Sequence, residues 1–325
     1  MPDLLRHSQI DKAAWDACIE ASEQGQVYAL SWYLDIVSPE WQAVVEQEER
    51  QYIAVMPLPV RHKYGLAYLQ QPLFCQQLGI YSKVELTQEL VNKFLAITER
   101  KFRYTSGYTF NTANSCSLLR TVLAGSFRTA YTHYLPLHQT YQEIWKGYTR
   151  DRKYNLNKAR REKISITRSE NIEPLILMFR QHIAYKIYGG VAEAAYQMLR
   201  QLFAMLLKKG KAELLYTMSE AGDITAGGLF VYYKGYIVYL FNAADASGRR
   251  SNGRTLILDD VIQRNASTAQ VLDFESPMIE HVADFYKSFG PKPMPFYEWS
   301  YNHLPVYIRL IKRLRQKLLL NLLKK

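Results

Sequence analysis

Cysteine is scarce in this sequence, and the cysteines present are far apart. Cys18, Cys75 and Cys116 form no C-x-x-C pair, which excludes a disulfide framework and argues against a thiolate metal site. We interpret them as free thiols in a reducing compartment. His133 and His138 are near each other but have no acidic or cysteine companion at ligand spacing, so the sequence predicts no metal site.

Long apolar runs are also missing. No stretch is long and apolar enough to span a bilayer. The segment Met1 to Ile10 carries charges and a proline where a secretory signal peptide has its apolar core. We therefore expect a cytoplasmic protein. Neither a Ser-His-Asp nor a Cys-His order can be read from the chain, so no covalent nucleophile is indicated.

Acidic residues are outnumbered by basic ones. The 325 residues include 41 lysines and arginines against 30 aspartates and glutamates, which gives a net charge of +11. This excess favours an anionic partner, such as a nucleotide cofactor, RNA or an acidic surface, without choosing among them. The hydrophobic share of 48% is typical of a globular protein, and the length suits about two domains.

Hydrophobic periodicity predicts the order of elements in the second half of the chain. The order is strand, two helices, three strands, helix, strand, helix. The predicted elements are Ile164–Arg168, Ile172–Ile187, Ala192–Lys208, Ala212–Ser219, Thr225–Lys234, Tyr236–Phe241, Leu256–Ile262, Ala269–Phe274 and Ile279–Phe289. The pattern of the first half predicts a mixed α+β unit. This half contains no glycine turn before a helix.

A polar and basic turn, Ala246–Thr255, follows one of these predicted strands. Gly253 has no Cβ and lets the backbone approach a ligand closely. The first amides of the next helix lack internal partners, and Arg249, Arg250 and Arg254 add charge, which together suit a pyrophosphate or another anion. An exposed loop that is basic because the whole protein is basic explains the same residues.

Three stretches resemble motifs of the GNAT acyltransferases. Arg250–Thr255 is similar to the Q/R-x-x-G-x-G/A loop, which holds the pyrophosphate of acyl-coenzyme A in that family, although Thr255 stands where the motif has a small residue. Ala283–Gly290 resembles the A-x-x-F-Y-x-x-x-G helix of the family. Asp273–Ser276 resembles the D-F-E/G-G-S stretch of the Fem-like branch, with Pro277 breaking that pattern.

The resemblance implies an α+β fold of tandem GNAT-like domains, each a mixed, mostly antiparallel sheet flanked by helices. Residues 1–141 would form a degenerate copy, completed by the segment 303–325. Residues 142–302 would form the domain that binds acyl-coenzyme A. The predicted element order of the second half agrees with this fold independently of the motifs.

The resemblance also implies where acyl transfer would occur. Tyr286 resembles the tyrosine that protonates the leaving sulfur, and Asp273 or Glu275 could remove the proton of the amine. Packing of the Tyr286 ring and helix capping by Glu275 are the structural alternatives. The expected contacts to coenzyme A, for which acetyl-coenzyme A is our first expectation, are Asn242, Ala243, Ala244, Arg249, Arg250, Ser251, Asn252, Gly253, Arg254 and Thr255.

A dense basic run marks the start of the predicted second domain. The Fem-like proteins have a similar R-x-x-x-x-x-K-A-x-R/K-x-G entry, to which Arg152, Lys158 and Arg161 correspond, while Glu162 and Lys163 replace its end. These three cations are candidate contacts to a phosphorylated amine acceptor or to tRNA. A solvated helix face is the alternative.

The last segment, 305–325, has the pattern of a basic amphipathic helix. It would dock on the body of the protein or contact a membrane surface.

Three functions fit these observations. The first is transfer of an acyl group from acyl-coenzyme A to an amine, which the turn Arg250–Thr255 favours. The second is aminoacyl-tRNA-dependent transfer onto a cell-wall precursor, which the basic run and Asp273–Ser276 favour. The third is a non-catalytic RNA-binding or membrane-surface protein on a decayed GNAT fold, which Thr255 and Pro277 leave open.

Overall fold

A computed structural model describes residues 2–49, 51–63, 65–119 and 126–306. Nearly all of the predicted terminal helix, 305–325, lies outside these residues. The helices are α1 Lys12–Ala21, α2 Ser31–Val37, α3 Gln88–Lys101, α4 Cys116–Leu119, α5 Tyr141–Gly147, α6 Arg150–Arg161, α7 Glu173–His182, α8 Glu193–Lys208, α9 Ala246–Arg250, α10 Gly253–Asn265 and α11 Glu280–Lys287. Short 3₁₀ turns occur at His7–Gln9, Val27–Ala29 and Ala184–Lys186.

The strands alternate with these helices along the chain. They are β1 Asp3–Leu5, β2 Gln42–Glu48, β3 Gln51–Leu58, β4 Val60–Lys63, β5 Leu66–Leu69, β6 Tyr81–Ser82, β7 Tyr104–Thr109, β8 Ser126–Pro136, β9 Ser165–Ser169, β10 Ala212–Met218, β11 Ile224–Tyr233, β12 Tyr236–Ala244, β13 Val271–Asp273 and β14 Lys292–Asn302.

Within the described residues the strands form a four-stranded and a ten-stranded sheet. The small sheet has the order β1-β2-β3-β6, and the large one has the order β4-β5-β7-β14-β8-β13-β12-β11-β10-β9. Most neighbours are antiparallel, whereas β12 pairs with β13, and β5 with β7, in parallel. This confirms the predicted α+β class. Strand β8 lies between β13 and β14, so sheet hydrogen bonds cross the predicted boundary at residues 141 and 142.

Two buried clusters cover the two faces of the large sheet in the second half. On one face, Leu229, Val238 and Leu240 belong to the cluster that includes Leu175 of α7 and Leu202 of α8. On the other face, α5, α6, α10 and α11 form a second cluster with residues of β10 to β13. Helix α10 places Ile257, Leu258, Val261 and Ile262 against the sheet. This second face carries most of the candidate site.

Three predicted segments are either shorter in the structure or of a different type. The helix predicted over Ile172–Ile187 ends at His182, because Ile183 leaves the helical region with φ −129°. The turn predicted over Ala246–Thr255 is mostly helical: its first five residues form α9, which Asp245 caps by accepting a hydrogen bond from the Gly248 amide at 2.6 Å, and Gly253 to Thr255 begin α10. The strand predicted over Ala269–Phe274 is shortened to β13.

Candidate functional site

The parallel strands β12 and β13 separate after three residue pairs. Tyr236 to Val238 pair with Val271 to Asp273, where β13 ends, but β12 continues to Ala244. Among the described residues, the β12 edge from Tyr239 to Ala244 has no strand partner on this side. Unpaired backbone groups at such an edge can bind an extended ligand as an additional strand. The opening is therefore a candidate ligand cleft.

A β-bulge in β12 directs Asn242 toward the cleft. Leu229 pairs with Phe241 while Phe230 pairs with Tyr239, so Leu240 is the extra residue. Leu240 and Phe241 consequently pack on the same sheet face, with α7 and α8. Asn242 then lies on the opposite face, with α10 and α11, where bulges commonly re-aim a side chain.

Tyr286 lies in the last turn of α11 and is 3% exposed. The centroid of its ring lies 5.3 Å from the centroid of the Phe274 ring and 6.2 Å from that of the Tyr239 ring, which it meets edge-on. Its hydroxyl oxygen accepts a hydrogen bond from Asn242 Nδ2 at 3.4 Å. Burial raises the pKa of Tyr286, whereas the charge of Arg254 and the bond from Asn242 oppose this rise. The hydroxyl is therefore protonated at neutral pH.

Asp273 holds the turn that follows β13. Its Oδ1 accepts hydrogen bonds from Thr132 Oγ1 at 2.6 Å and from the Glu275 amide at 2.9 Å. Burial raises its pKa to about 6, against the effect of these two donors. Glu275 has φ 46°, in the left-handed region, so strand alternation stops before it. Strict strand alternation would place Asp273 and Glu275 on one face, but β13 ends at Asp273, so this pattern does not extend to Glu275.

Glu275 joins the second half of the chain to the first. Its Oε1 accepts a hydrogen bond from the Tyr28 hydroxyl at 2.5 Å, and Gln76 Nε2 donates to the carbonyl of Ser276 at 3.3 Å. Burial raises the pKa of Glu275 to about 8; the Tyr28 bond lowers it, and the charge of Asp273 raises it. The Glu275 charge also raises the pKa of Tyr286, so the two groups interact.

The loop predicted to bind pyrophosphate packs tightly on the sheet. A Cβ on Gly253 would lie 2.7 Å from Thr217 Oγ1 and 3.0 Å from the Cβ of Ala226. A Cβ on Gly248 would lie 2.0 Å from the carbonyl oxygen of Thr225. Glycine at these positions therefore permits close contact between helix and sheet, which is a different reason from the ligand approach expected from the sequence.

The other predicted coenzyme contacts lie around this helix pair. Arg249 Nη1 donates to the Ala244 carbonyl at 2.7 Å, and Arg250 is exposed. Arg254 Nη1 donates to Asn242 Oδ1 at 3.0 Å. Ser251 directly follows α9 as its C-cap, Asn252 precedes α10 in the left-handed region with φ 59°, and Ala243 is buried in the sheet.

Arg152 is buried rather than displayed on the surface. It is 6% exposed, and it donates to Thr255 Oγ1 at 2.5 Å and to Ser288 Oγ at 2.8 Å. Its guanidinium lies over the rings of Phe285 and Phe289, at 4.3 Å and 4.6 Å from their centroids. Burial, followed by the charge of Arg254, lowers its pKa to about 10. The contact fills the space beside Thr255.

Lys158 and Arg161 differ from Arg152 in their position. Both are exposed in the second half of α6, whereas Arg152 is in its first turn. Neither side chain forms a hydrogen bond or an ion pair with another described residue. The structure thus brings together Asn242, Arg254 and Tyr286, and separately Arg152 and Thr255, but leaves Lys158 and Arg161 on the solvated face of α6.

Two contacts were beyond sequence reasoning. Tyr28 and Glu275 are 247 residues apart in the sequence, and no local sequence pattern predicts a contact between residues so far apart. The Arg254–Asn242–Tyr286 chain depends on the bulge at Leu240, which reads as part of a continuous apolar run. In the described part of the chain, no helix has the length and apolarity to cross a bilayer. The described residues also contain no cluster of three or more His, Cys, Asp or Glu side chains that could hold a metal ion.

No protein-family model and no curated protein sequence matches the chain. Solved structures do match it. FemX is 12% identical with a TM-score of 0.64, over 91% of this chain and 96% of FemX. A tandem GNAT protein from the clavulanic acid biosynthesis pathway is 11% identical with a TM-score of 0.56, over 94% and 99%. L-PGS from Bacillus licheniformis is 11% identical with a TM-score of 0.51, over 93% and 95%. The chain therefore has the Fem-like tandem GNAT fold, as its motifs predict.

Proposed function

We propose that this protein is a GNAT-type N-acyltransferase that moves an acyl group from acyl-coenzyme A to a small amine. One arrangement carries the proposal: the hydroxyl of Tyr286 lies beside Asn242 where β12 and β13 separate. The pantetheine arm of coenzyme A is extended and contains amides, so it can pair with the free edge of β12. Its thioester would then lie near Tyr286. Acetyl-coenzyme A is the proposed donor.

The reaction needs one group that accepts a proton and one that donates a proton. The amine nitrogen attacks the thioester carbonyl carbon, the C–N bond forms and the C–S bond breaks. Glu275, as a carboxylate, takes the proton that the amine loses, and Tyr286 gives its proton to the departing thiolate. Asp273 acts indirectly in this scheme, because its carboxylate holds the turn that carries Glu275.

The phosphates of the donor would lie at the outer end of the cleft. The first turn of α10 offers amides and the positive end of the helix, and Arg250 is exposed just before it. Thr255 and Arg152 narrow the inner part of this region. We therefore assign the pyrophosphate to the Arg250 side of the helix start.

Aminoacyl-tRNA is the second candidate donor, with a cell-wall precursor as acceptor. The exposed cations Lys158 and Arg161 favour it, since they could contact RNA phosphates. Under the first candidate, the same cations would bind a phosphate of the amine acceptor. In both cases we place the enzyme in the cytoplasm, because Cys18 and Cys75 are free thiols.

Calorimetric titration with acetyl-coenzyme A, beside titration with an aminoacyl-tRNA, tests the donor. We expect acetyl-coenzyme A to bind and Arg250→Gln to weaken that binding. Arg103→Gln, which removes an exposed charge from the first half, is the matched control and should leave the affinity unchanged. Tight tRNA binding without any heat from acetyl-coenzyme A would reverse the assignment, and absence of both would favour the non-catalytic alternative.

A further inference from the structure

Two hydrogen bonds connect Arg254 to Tyr286 through Asn242. Arg254, in the first turn of α10, donates from Nη1 to Asn242 Oδ1 at 3.0 Å. Asn242, on β12, donates from Nδ2 to the Tyr286 hydroxyl oxygen at 3.4 Å. The three side chains belong to three different elements, so each element's position affects this chain.

Hydrogen-bond chemistry determines the direction of the chain. A guanidinium has only donors, so Asn242 must turn its oxygen toward Arg254 and its NH₂ group toward Tyr286. The NH₂ group has no acceptor, so the Tyr286 oxygen must accept there. The proton of Tyr286 is therefore free to point elsewhere, and no described residue accepts it. A proton in this state is available to a ligand in the cleft.

We infer that Arg254 is a positioning residue that, through the amide of Asn242, directs the proton of Tyr286 toward the leaving group of the bound donor. This inference rests on the proposed function only for the identity of the leaving group. The orientation of the Tyr286 hydroxyl is a property of the protein without ligand, and it can be measured separately.

The surroundings of Arg254 support this role. Its guanidinium lies 4.9 Å from the centroid of the Phe285 ring, which holds the side chain beside α11. Its charge opposes the effect of burial on the pKa of Tyr286, and a stronger acid transfers its proton more readily to a thiolate. Because Arg254 is hydrogen-bonded inward to Asn242, its role differs from that of the exposed Arg250, which remains the proposed phosphate contact.

Asn242→Asp provides the sharpest test, because it preserves size but reverses one bond. The carboxylate would still accept from Arg254, but it would also accept the proton of Tyr286 and withhold it from the leaving group. We expect kcat for thiol release from acetyl-coenzyme A, with glycinamide as the amine, to fall by about a hundredfold with little change in the donor KM. Adding Tyr286→Phe should cause little further loss.

Arg254→Gln and Arg254→Lys separate positioning from simple packing. Glutamine can present its own oxygen or nitrogen, so the orientation of Asn242 becomes mixed, whereas lysine has only donors and preserves it. We expect kcat to fall about tenfold in Arg254→Gln and to be largely restored in Arg254→Lys. A lysine variant as impaired as the glutamine variant would overturn the inference.

The NMR signal of isotope-labelled tyrosine Cζ gives a readout without substrate, with Tyr286 assigned by the loss of its signal in Tyr286→Phe. We expect the signal to move in Asn242→Asp and in Arg254→Gln, and to stay in place in Arg254→Lys. An unmoved signal in the first two variants would reject the hydrogen-bond chain. Moved signals in a protein that releases no thiol would support the chain and reject the acyltransferase proposal.

Discussion

Tyr28 donates a hydrogen bond of 2.5 Å to Glu275, although 247 residues separate them along the chain. Glu275 has a left-handed backbone conformation with φ 46°, and such conformations in residues other than glycine often occur at functional sites. The proposed base is therefore held by both halves of the protein. The first half contributes to the candidate site even though it shows no coenzyme motif of its own.

The raised pKa of Glu275 predicts a rate that increases with pH. The carboxylate is the basic form, so kcat/KM should rise through a midpoint near pH 8, the pKa to which burial raises this group. Glu275→Gln should abolish this rise and lower the rate about a hundredfold or more. Steady-state kinetics with acetyl-coenzyme A over a pH series measures it.

The same shift predicts an effect on stability. The folded pKa exceeds the ordinary value of 4.5, so the folded state progressively loses stability as the pH rises from about 4.5 to about 8. Thermal unfolding of Glu275→Gln should be less sensitive to pH between these two values.

For the kinetic prediction, a pH-rate profile of Glu275→Gln identical to that of the parent would exclude Glu275 as the base.

Removing the Tyr28 hydroxyl should move the midpoint upward. Tyr28 donates to the Glu275 carboxylate and lowers its pKa, so Tyr28→Phe should raise that pKa and shift the pH-rate curve to higher pH. The maximal rate at high pH should change little, because Glu275 remains present. A curve that moves to lower pH would contradict the assigned direction of the bond.

Tyr286→Phe should remove the proton donor and retain the ring. A general acid contributes about 10²–10⁴ in rate, so we expect kcat to fall by this factor while coenzyme A affinity changes little. Tyr239→Phe is the matched control, because Tyr239 packs edge-on against Tyr286 and its own buried hydroxyl has no partner in the described structure. Equal losses in the two variants would assign Tyr286 to packing.

Gly253→Ala should lower the free energy of unfolding, whether or not it also weakens ligand binding. Its Cβ would lie 2.7 Å from Thr217 Oγ1 and 3.0 Å from the Cβ of Ala226, and overpacking of this kind typically costs about 1–3 kcal/mol. Thr217→Ala in the same chain removes the closest atom and should restore part of the lost free energy of unfolding. Chemical denaturation of both single variants and the double variant measures this coupling. Simple additivity would mean that the two residues do not interact.

Most elements of the second half were predictable because they have an apolar period, as in α8, or an apolar run, as in β11. Helix α9 was not, since Ser247, Gly248 and two arginines in five residues have the composition of a turn, and only the Asp245 cap distinguishes them. The candidate tyrosine was identified from a motif. Its partners Asn242 and Arg254 became visible only through the bulge and the packing of α10, which are tertiary features without a local signal.

Arg152 and the pair Lys158 and Arg161 should respond differently to substitution. Arg152→Ala removes hydrogen bonds to Thr255 and Ser288 and the contact with Phe285, so it should lower the free energy of unfolding by about 2 kcal/mol or more. Neutralising Lys158 and Arg161 to glutamine should leave thermal unfolding nearly unchanged, because both side chains are exposed.

Binding measurements then decide what Lys158 and Arg161 contact. If they bind RNA, tRNA affinity should fall steeply with salt in the parent, and the double variant should reduce that log–log slope by about two units, because fewer phosphate counterions are released. If they bind a phosphorylated acceptor, phosphoethanolamine should show a higher KM in the double variant, while tRNA binds weakly in both proteins. We expect the second result, since exposed cations on a single short helix suit one small anion better than a whole tRNA. Fluorescence anisotropy with tRNA across a salt series distinguishes RNA binding from binding of a phosphorylated acceptor, with Arg103→Gln as the control for general loss of charge. A steep tRNA slope that collapses in the double variant would change the proposed donor to aminoacyl-tRNA.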